Sequence, residues 1–204
     1  MRIGIDFDNT LAGYDRVFSD AAMARGYIAA TGTLSKFDVR ERVRALDDGE
    51  EKWKALQGEV YGKRMQDATM MPGADGFLRT CKLRGVDVVV VSHKTEHGHH
   101  DPDQVNLRAA ARRWMKDKGF FDADVFGLAE SDVHFESTRP EKVKRIAQLG
   151  CTHFIDDLVE VFDEPAFPDN VVRILYDPAG SAPHGGAFER HTDWKDIERA
   201  IFGS

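Results

Sequence analysis

The chain has 204 residues, 42% of them hydrophobic and 31% charged, with a formal net charge of -7. That is room for one domain, or one domain with a sizeable insertion, and enough chain to bury a core without disulfides or a structural metal. Ordinary apolar content without low-complexity tracts excludes global disorder, and the acidic balance argues against a nucleic-acid scaffold, whose affinity leans on basic residues.

The first apolar run, Ile3 to Phe7, is broken by Asp6 and ends in acidic residues, as a buried parallel strand looks where it meets a site. It is shorter than the ~7–15 apolar residues of a signal-peptide core. No later run nears the ~20 residues that span a bilayer. The two cysteines, Cys81 and Cys151, form no disulfide framework. The expectation is a soluble, cytoplasmic protein with no membrane association.

Residues 12–73 carry Tyr14-Val17-Phe18-Ala21, Val39-Val43-Leu46 and Trp53-Leu56-Val60 at helical spacing, and no convincing strand. They predict a helical insertion, with Pro72-Gly73 marking the return. Ala74 to Arg84 predicts a helix with Phe77, Leu78 and Cys81 on one face and Gly85 after its end. Val86 to Val91, five valines and an aspartate, predicts a central strand. Gln104 to Lys118 predicts a helix on Leu107, Ala111, Trp114 and Met115, and Asp124 to Leu128 and Val133 to Phe135 predict short strands. Thr138-Arg139-Pro140-Glu141 has the form of a capping box, opening a helix that stops at Gly150. His153 to Asp157 and Val171 to Tyr176 predict two more strands, Pro178 to Gly186 a loop, and Asp193 to Phe202 a last helix. Strand and helix alternate, so the fold class is α/β with a parallel sheet.

In such sheets, ligands bind where the strands end. Three strand ends carry polar groups: Asp6-Phe7-Asp8-Asn9-Thr10, Ser92, and Asp156-Asp157. Lys142 stands in the first turn of the helix before the last of these. In an extended segment Asp6 and Asp8 point to one side.

These residues resemble the four motifs of the haloacid dehalogenase-like hydrolase superfamily. Asp6-Phe7-Asp8-Asn9-Thr10-Leu11 matches its Asp-x-Asp-x-Thr motif, Ser92 its hydroxyl motif, Lys142 its lysine motif, and Asp156-Asp157 its acidic pair. The resemblance runs from residue 1 to about 177. It implies a Rossmann-like catalytic core of residues 1–11 and 74–204, flanked by helices, with residues 12–73 as a small all-helical cap. A cap that closes over the site excludes water, which favours a small soluble phosphate ester as substrate. Asn9 stands where glycine is frequent.

The chemistry of the residues runs beside the resemblance. A phosphate monoester needs a nucleophile, neutralised oxygens and a proton for its leaving group. Asp6 can attack and form an aspartyl-phosphate, and Asp8 can protonate the leaving oxygen and then activate water. Crowded carboxylates facing a dianion call for a hard divalent cation, and oxygen donors suit Mg²⁺. By resemblance, the metal takes the Asp6 carboxylate, the Asp8 main-chain carbonyl and an acidic-pair carboxylate. Asp157 is favoured there, with Asp156 positioning Lys142 or a metal-bound water. Thr10, Ser92, His93 and Lys142 are the expected contacts to substrate, with Lys94, Arg139 and Lys144 competing for the role of Lys142.

The expected activity is therefore Mg²⁺-dependent hydrolysis of a small phosphorylated metabolite, a nucleoside monophosphate or a sugar phosphate. Phosphotransfer to another acceptor and a non-catalytic phosphate-ester-binding regulator are the alternatives. Trp53, Tyr61, Lys63 and Arg64 are candidate substrate contacts from the insertion. His93, His97, His99 and His100, with Glu96 and Asp101, crowd a loop after Ser92. Such density can hold Zn²⁺, but Gly98 and Pro102 favour an irregular exposed loop, solvated or contacting substrate.

Overall fold

The computed structural model describes residues 1–29, 32–98, 103–182 and 185–203. Strand β1 (Arg2–Ile5) leads to a short ribbon of β2 (Ala12–Gly13) and β3 (Thr69–Met70). The other strands are β4 (Asp87–His93), β5 (Val133–Glu136), β6 (His153–Asp156), β7 (Val172–Tyr176) and β8 (Glu189–His191). The helices are α1 (Asp15–Ala24), α2 (Lys36–Arg44), α3 (Gly49–Tyr61), α4 (Ala74–Leu83), α5 (Leu107–Asp117), α6 (Arg139–Gln148), α7 (Val159–Phe162) and α8 (Trp194–Phe202). None of the described helices is long and apolar enough to cross a membrane.

By contacts the chain forms two compact units. The first comprises Met1–Ala12, Met70–Lys94 and Gly119–Ser204, and holds a six-stranded sheet in the order β5-β4-β1-β6-β7-β8. Every pairing in it is parallel. This is a Rossmann-like α/β sheet flanked by helices, as the alternation of elements predicts.

Register decides which residues share a face. Gly4 pairs with Val89 on one side and Phe154 on the other. On this face Val89, Val91, Phe154 and Leu175 are buried with Val143 and Ile146 of α6 and Val161 and Phe162 of α7. A Cβ on Gly4 would stand 2.5 Å from the Phe154 ring, so only glycine lets that ring cross the strand. The opposite face carries Ile5, Val90, Ile155 and Ile174. There Trp194 of α8 sits 5.0 Å from Phe77 of α4 and 5.5 Å from Tyr176, ring centre to ring centre.

Two expectations at this level are corrected. Asp124–Leu128 is not a strand: the Asp122 side chain accepts from Asp124 N, its carbonyl accepts from Val125 N and Gly127 N, and Gly127 has φ 71°. The local side-chain bond and the left-handed glycine close turns instead. The sheet also has an edge strand, β8, that the sequence reading left unassigned.

The second unit is Gly13–Thr69 together with Thr95–Lys118. It contains α1, α2 and α3, as helical spacing in the insertion predicts, and also α5, which was expected in the core. The reason is the apolar stripe of α5. Leu107, Ala110, Ala111, Trp114 and Met115 are buried, and the Trp114 indole donates to Ala68 O at 2.8 Å. Trp53 stacks on Phe18 at 5.0 Å, and Tyr14 and Tyr61 meet edge-on at 5.0 Å, so Trp53 belongs to this unit's core.

Candidate active site

The strands place the site residues at one end of the sheet in the first unit. Asp6 follows β1, and its N–H donates to Ile155 O at 2.9 Å, which fixes it beside β6. Gly4 and Asp6 alternate onto the face that α6 covers, as do Phe154 and Asp156. Helix α6 starts where the sequence predicts. The Thr138 hydroxyl accepts from Glu141 N and the Glu141 carboxylate accepts from Thr138 N, with Pro140 in the first turn. Val143 and Ile146 bury the helix against the sheet, and Lys142 on the same stripe is buried with them.

A buried ammonium needs partners. Lys142 Nζ donates to Asp6 Oδ1 and Asp156 Oδ2, both at 2.6 Å, and lies 5.4 Å above the Phe154 ring. Burial by itself would lower the lysine; the Asp156 and Asp6 charges outweigh it and hold the ammonium above its ordinary value. Burial pushes the Asp156 carboxyl up, to about 7, against the pull of Lys142 and with the Asp6 charge adding to the rise. The second Asp156 oxygen accepts from Leu158 N at 3.0 Å.

Asp157 is half-buried. Its carboxylate accepts from Asn9 Nδ2 at 3.3 Å and from the Thr10 hydroxyl at 3.4 Å. Asp6, Asp156 and Asp157 each bring one oxygen to a place where all three lie within 4.8 Å of one another. An all-carboxylate donor set at this spacing fits a hard divalent cation such as Mg²⁺. Ser92, at the end of β4 beside β1, is buried. The His93 ring reaches the next loop, where Nε2 lies 2.9 Å from Ser137 O.

Two residues have larger parts here than the sequence reading gave them. Asn9 has φ 61°, which explains an Asn where glycine is frequent, and its amide reaches Asp157. Lys94 is 4% exposed, and its ammonium contacts Asp8 Oδ1 at 3.0 Å and Oδ2 at 2.9 Å. Period two from Ser92 is the signal that points to it.

Other basic candidates have ion-pair partners of their own. Arg139 pairs with Glu164 at 3.6 Å, and in the second unit Lys63 pairs with Asp103 and Arg64 with Asp67. Of the histidine loop, Glu96 is taken up by Asn106, whose Nδ2 donates to it at 3.0 Å, while the His97 carbonyl accepts from Thr95 Oγ1 at 3.0 Å. His99, His100 and Asp101 lie outside the described residues.

No family model matches the chain, and no curated protein matches it. Solved structures do. A predicted phosphatase from Clostridium acetobutylicum is 13% identical over 100% of this chain and 98% of its own, with a TM-score of 0.61. A haloacid dehalogenase family hydrolase from Deinococcus radiodurans, solved with bound phosphate and sodium, is 14% identical over 98% and 94%, with a TM-score of 0.55. Protein tyrosine kinase A from Mycobacterium tuberculosis is 17% identical over 98% and 97%, with a TM-score of 0.64. The fold is that of the haloacid dehalogenase-like hydrolases.

Proposed function

We propose that this chain is a haloacid dehalogenase-like phosphomonoester hydrolase, dependent on Mg²⁺, acting on a small phosphorylated metabolite such as a nucleoside monophosphate or a sugar phosphate. The observation that carries the reading is Lys142, buried and bonded at 2.6 Å to both Asp6 and Asp156, with Asp157 close enough to share a cation with them. A structural ion pair needs one carboxylate. Two on one buried lysine, with a third carboxylate beside them at a strand-end site, are suited to hold a metal and a phosphoryl group together.

In this reading Asp6 and Asp157 would hold the metal, with the Asp8 carbonyl as a further donor by resemblance and Asp156 beside them positioning Lys142 or a metal-bound water. Mg²⁺ when bound neutralises phosphoryl oxygens and lets a dianion approach the carboxylates. An Asp6 oxygen attacks phosphorus, the bond to the leaving oxygen breaks, and Asp8 supplies the proton that oxygen takes up. Lys142 screens Asp6 and binds a phosphoryl oxygen, Ser92 donates to another, and Thr10 helps orient Asp157. Asp8 then removes a proton from water as it attacks the aspartyl-phosphate, which returns Asp6 and releases phosphate.

Hydrolysis is tested by incubating the protein with a panel of phosphorylated metabolites and Mg²⁺ and measuring released phosphate. Turnover of at least one member, lost in chelator, is the expected result. The M. tuberculosis neighbour, named as a kinase, favours phosphotransfer as second reading. That reading predicts phosphoryl groups appearing on an added acceptor, with little free phosphate.

A further inference from the structure

The hydrolysis steps use Asp8 twice, yet Asp8 lies past the end of β1, in a loop closed by Asn9 N to Ala12 O at 2.8 Å and Ala12 N to Phe7 O at 2.9 Å. Sheet pairing does not fix its side chain. Among the described residues, Lys94 touches its carboxylate. That lysine continues the β4–β5 ladder, since Lys94 N donates to Glu136 O at 2.9 Å, so its backbone is anchored in the sheet. Its side chain is 2% exposed, and the ammonium lies 5.6 Å from the centre of the Phe7 ring. From that position it meets both Asp8 oxygens, at 3.0 and 2.9 Å, while the Asp8 side chain keeps 19% exposure.

The geometry points to Lys94 as the positioning residue of the proposed phosphatase reaction: it holds the Asp8 carboxyl in the orientation from which Asp8 moves protons to and from the reacting oxygens. The inference rests on the phosphatase reading given above. A buried lysine–carboxylate contact gives little net stability over apolar side chains of the same volume, because both charges lose their water. Among the described residues, the two buried lysines contact different carboxylates. Lys142 takes Asp6 and Asp156; Lys94 takes Asp8. The nucleophile and the proton-transfer group are thus each held by their own ammonium.

The test compares wild type, Lys94→Met, Lys94→Arg, Asp8→Asn and the double variant Asp8→Asn/Lys94→Met on two substrates with Mg²⁺. The substrates are p-nitrophenyl phosphate, whose oxygen leaves readily, and phenyl phosphate, whose more basic oxygen needs a proton. Lys94→Met is expected to lower kcat on phenyl phosphate by about 10–100-fold, within the range that proton-transfer groups supply. The loss is smaller on p-nitrophenyl phosphate, KM changes little, and Lys94→Arg recovers part of kcat. In the double variant the Lys94 change adds almost nothing to the Asp8 loss, as expected of groups that act as a unit. Lys94→Gln, which keeps a donor without charge, replaces Lys94→Met if the latter fails to give a cooperative melt. A rise in KM at constant kcat would make Lys94 a direct phosphoryl ligand and overturn the inference. Full additivity in the double variant, or kcat equal to wild type on both substrates, overturns it too. A wild type that releases neither phenol in Mg²⁺ overturns the phosphatase reading itself, an outcome distinct from an active wild type with an indifferent Lys94.

Discussion

Asn9 shows how one backbone angle feeds the site. At φ 61° its peptide opens the loop that turns the chain away from Asp8, and the same residue places Nδ2 3.3 Å from Asp157. Most side chains lose about 1–2 kcal/mol in this region, glycine nothing, and asparagine less than most because its amide bonds locally. Asn9→Gly is expected to hold near wild-type stability while losing the bond to Asp157; Asn9→Ala is expected to lose about 1 kcal/mol. Urea unfolding midpoints with unchanged slopes check both. Equal stability of wild type and Asn9→Ala would remove the backbone argument. At this scale most of the site is legible from sequence, because Asp6, Lys142 and Asp156 are each the polar end of an apolar element. Asn9 and Lys94 are less legible for a physical reason. A positive φ leaves no periodicity, and a lysine reads as solvated until its buried partner is known.

At the scale of elements, the loop after β7 is held by one carboxylate. Asp177 accepts from Ala182 N at 2.8 Å and Ser181 N at 3.1 Å and pairs with Arg190 Nη2 at 2.7 Å, which ties the loop to β8. Burial would raise the carboxyl; the two N–H donors and Arg190 outweigh it and hold it below its ordinary value. A carboxyl lowered in the folded state stabilises above its unfolded value, and that contribution is lost as pH falls through the folded one. Asp177→Asn is therefore expected to cost about 1–3 kcal/mol at neutral pH, and the gap to wild type should close below about pH 4. Thermal melts of both proteins across that range measure it; a gap that stays constant into acid contradicts the assignment. The same region shows where elements escape sequence reading. Strand β8 is Glu-Arg-His at a sheet edge, with no apolar residue to announce it, whereas the valine-rich β4 and the capping box of α6 announce themselves. Asp124–Leu128 erred the other way: apolar residues in a short run look like a strand until Asp122 and Gly127 turn the chain.

At the scale of the whole molecule, the order of elements carries the account. One parallel sheet is built from segments separated by the helical insertion, and its central strands β1, β4 and β6 all end in residues of the site. Alternation of strands and helices makes that sheet readable from sequence. The grouping of Thr95–Lys118 with the insertion is not readable, because the stripe of α5 is apolar whichever unit it packs against. In the proposed reaction Asp6 is a nucleophile served by Lys142 and the acidic pair. The most direct measurement of that role is mass spectrometry of the Asp6 peptide after brief reaction with p-nitrophenyl phosphate and Mg²⁺, quenched in acid. The account predicts a phosphoryl group on Asp6 in wild type, none in excess chelator, and neither adduct nor turnover in Asp6→Asn. Turnover in Asp6→Asn at the wild-type rate, or steady-state hydrolysis with no adduct under any quench, would contradict it.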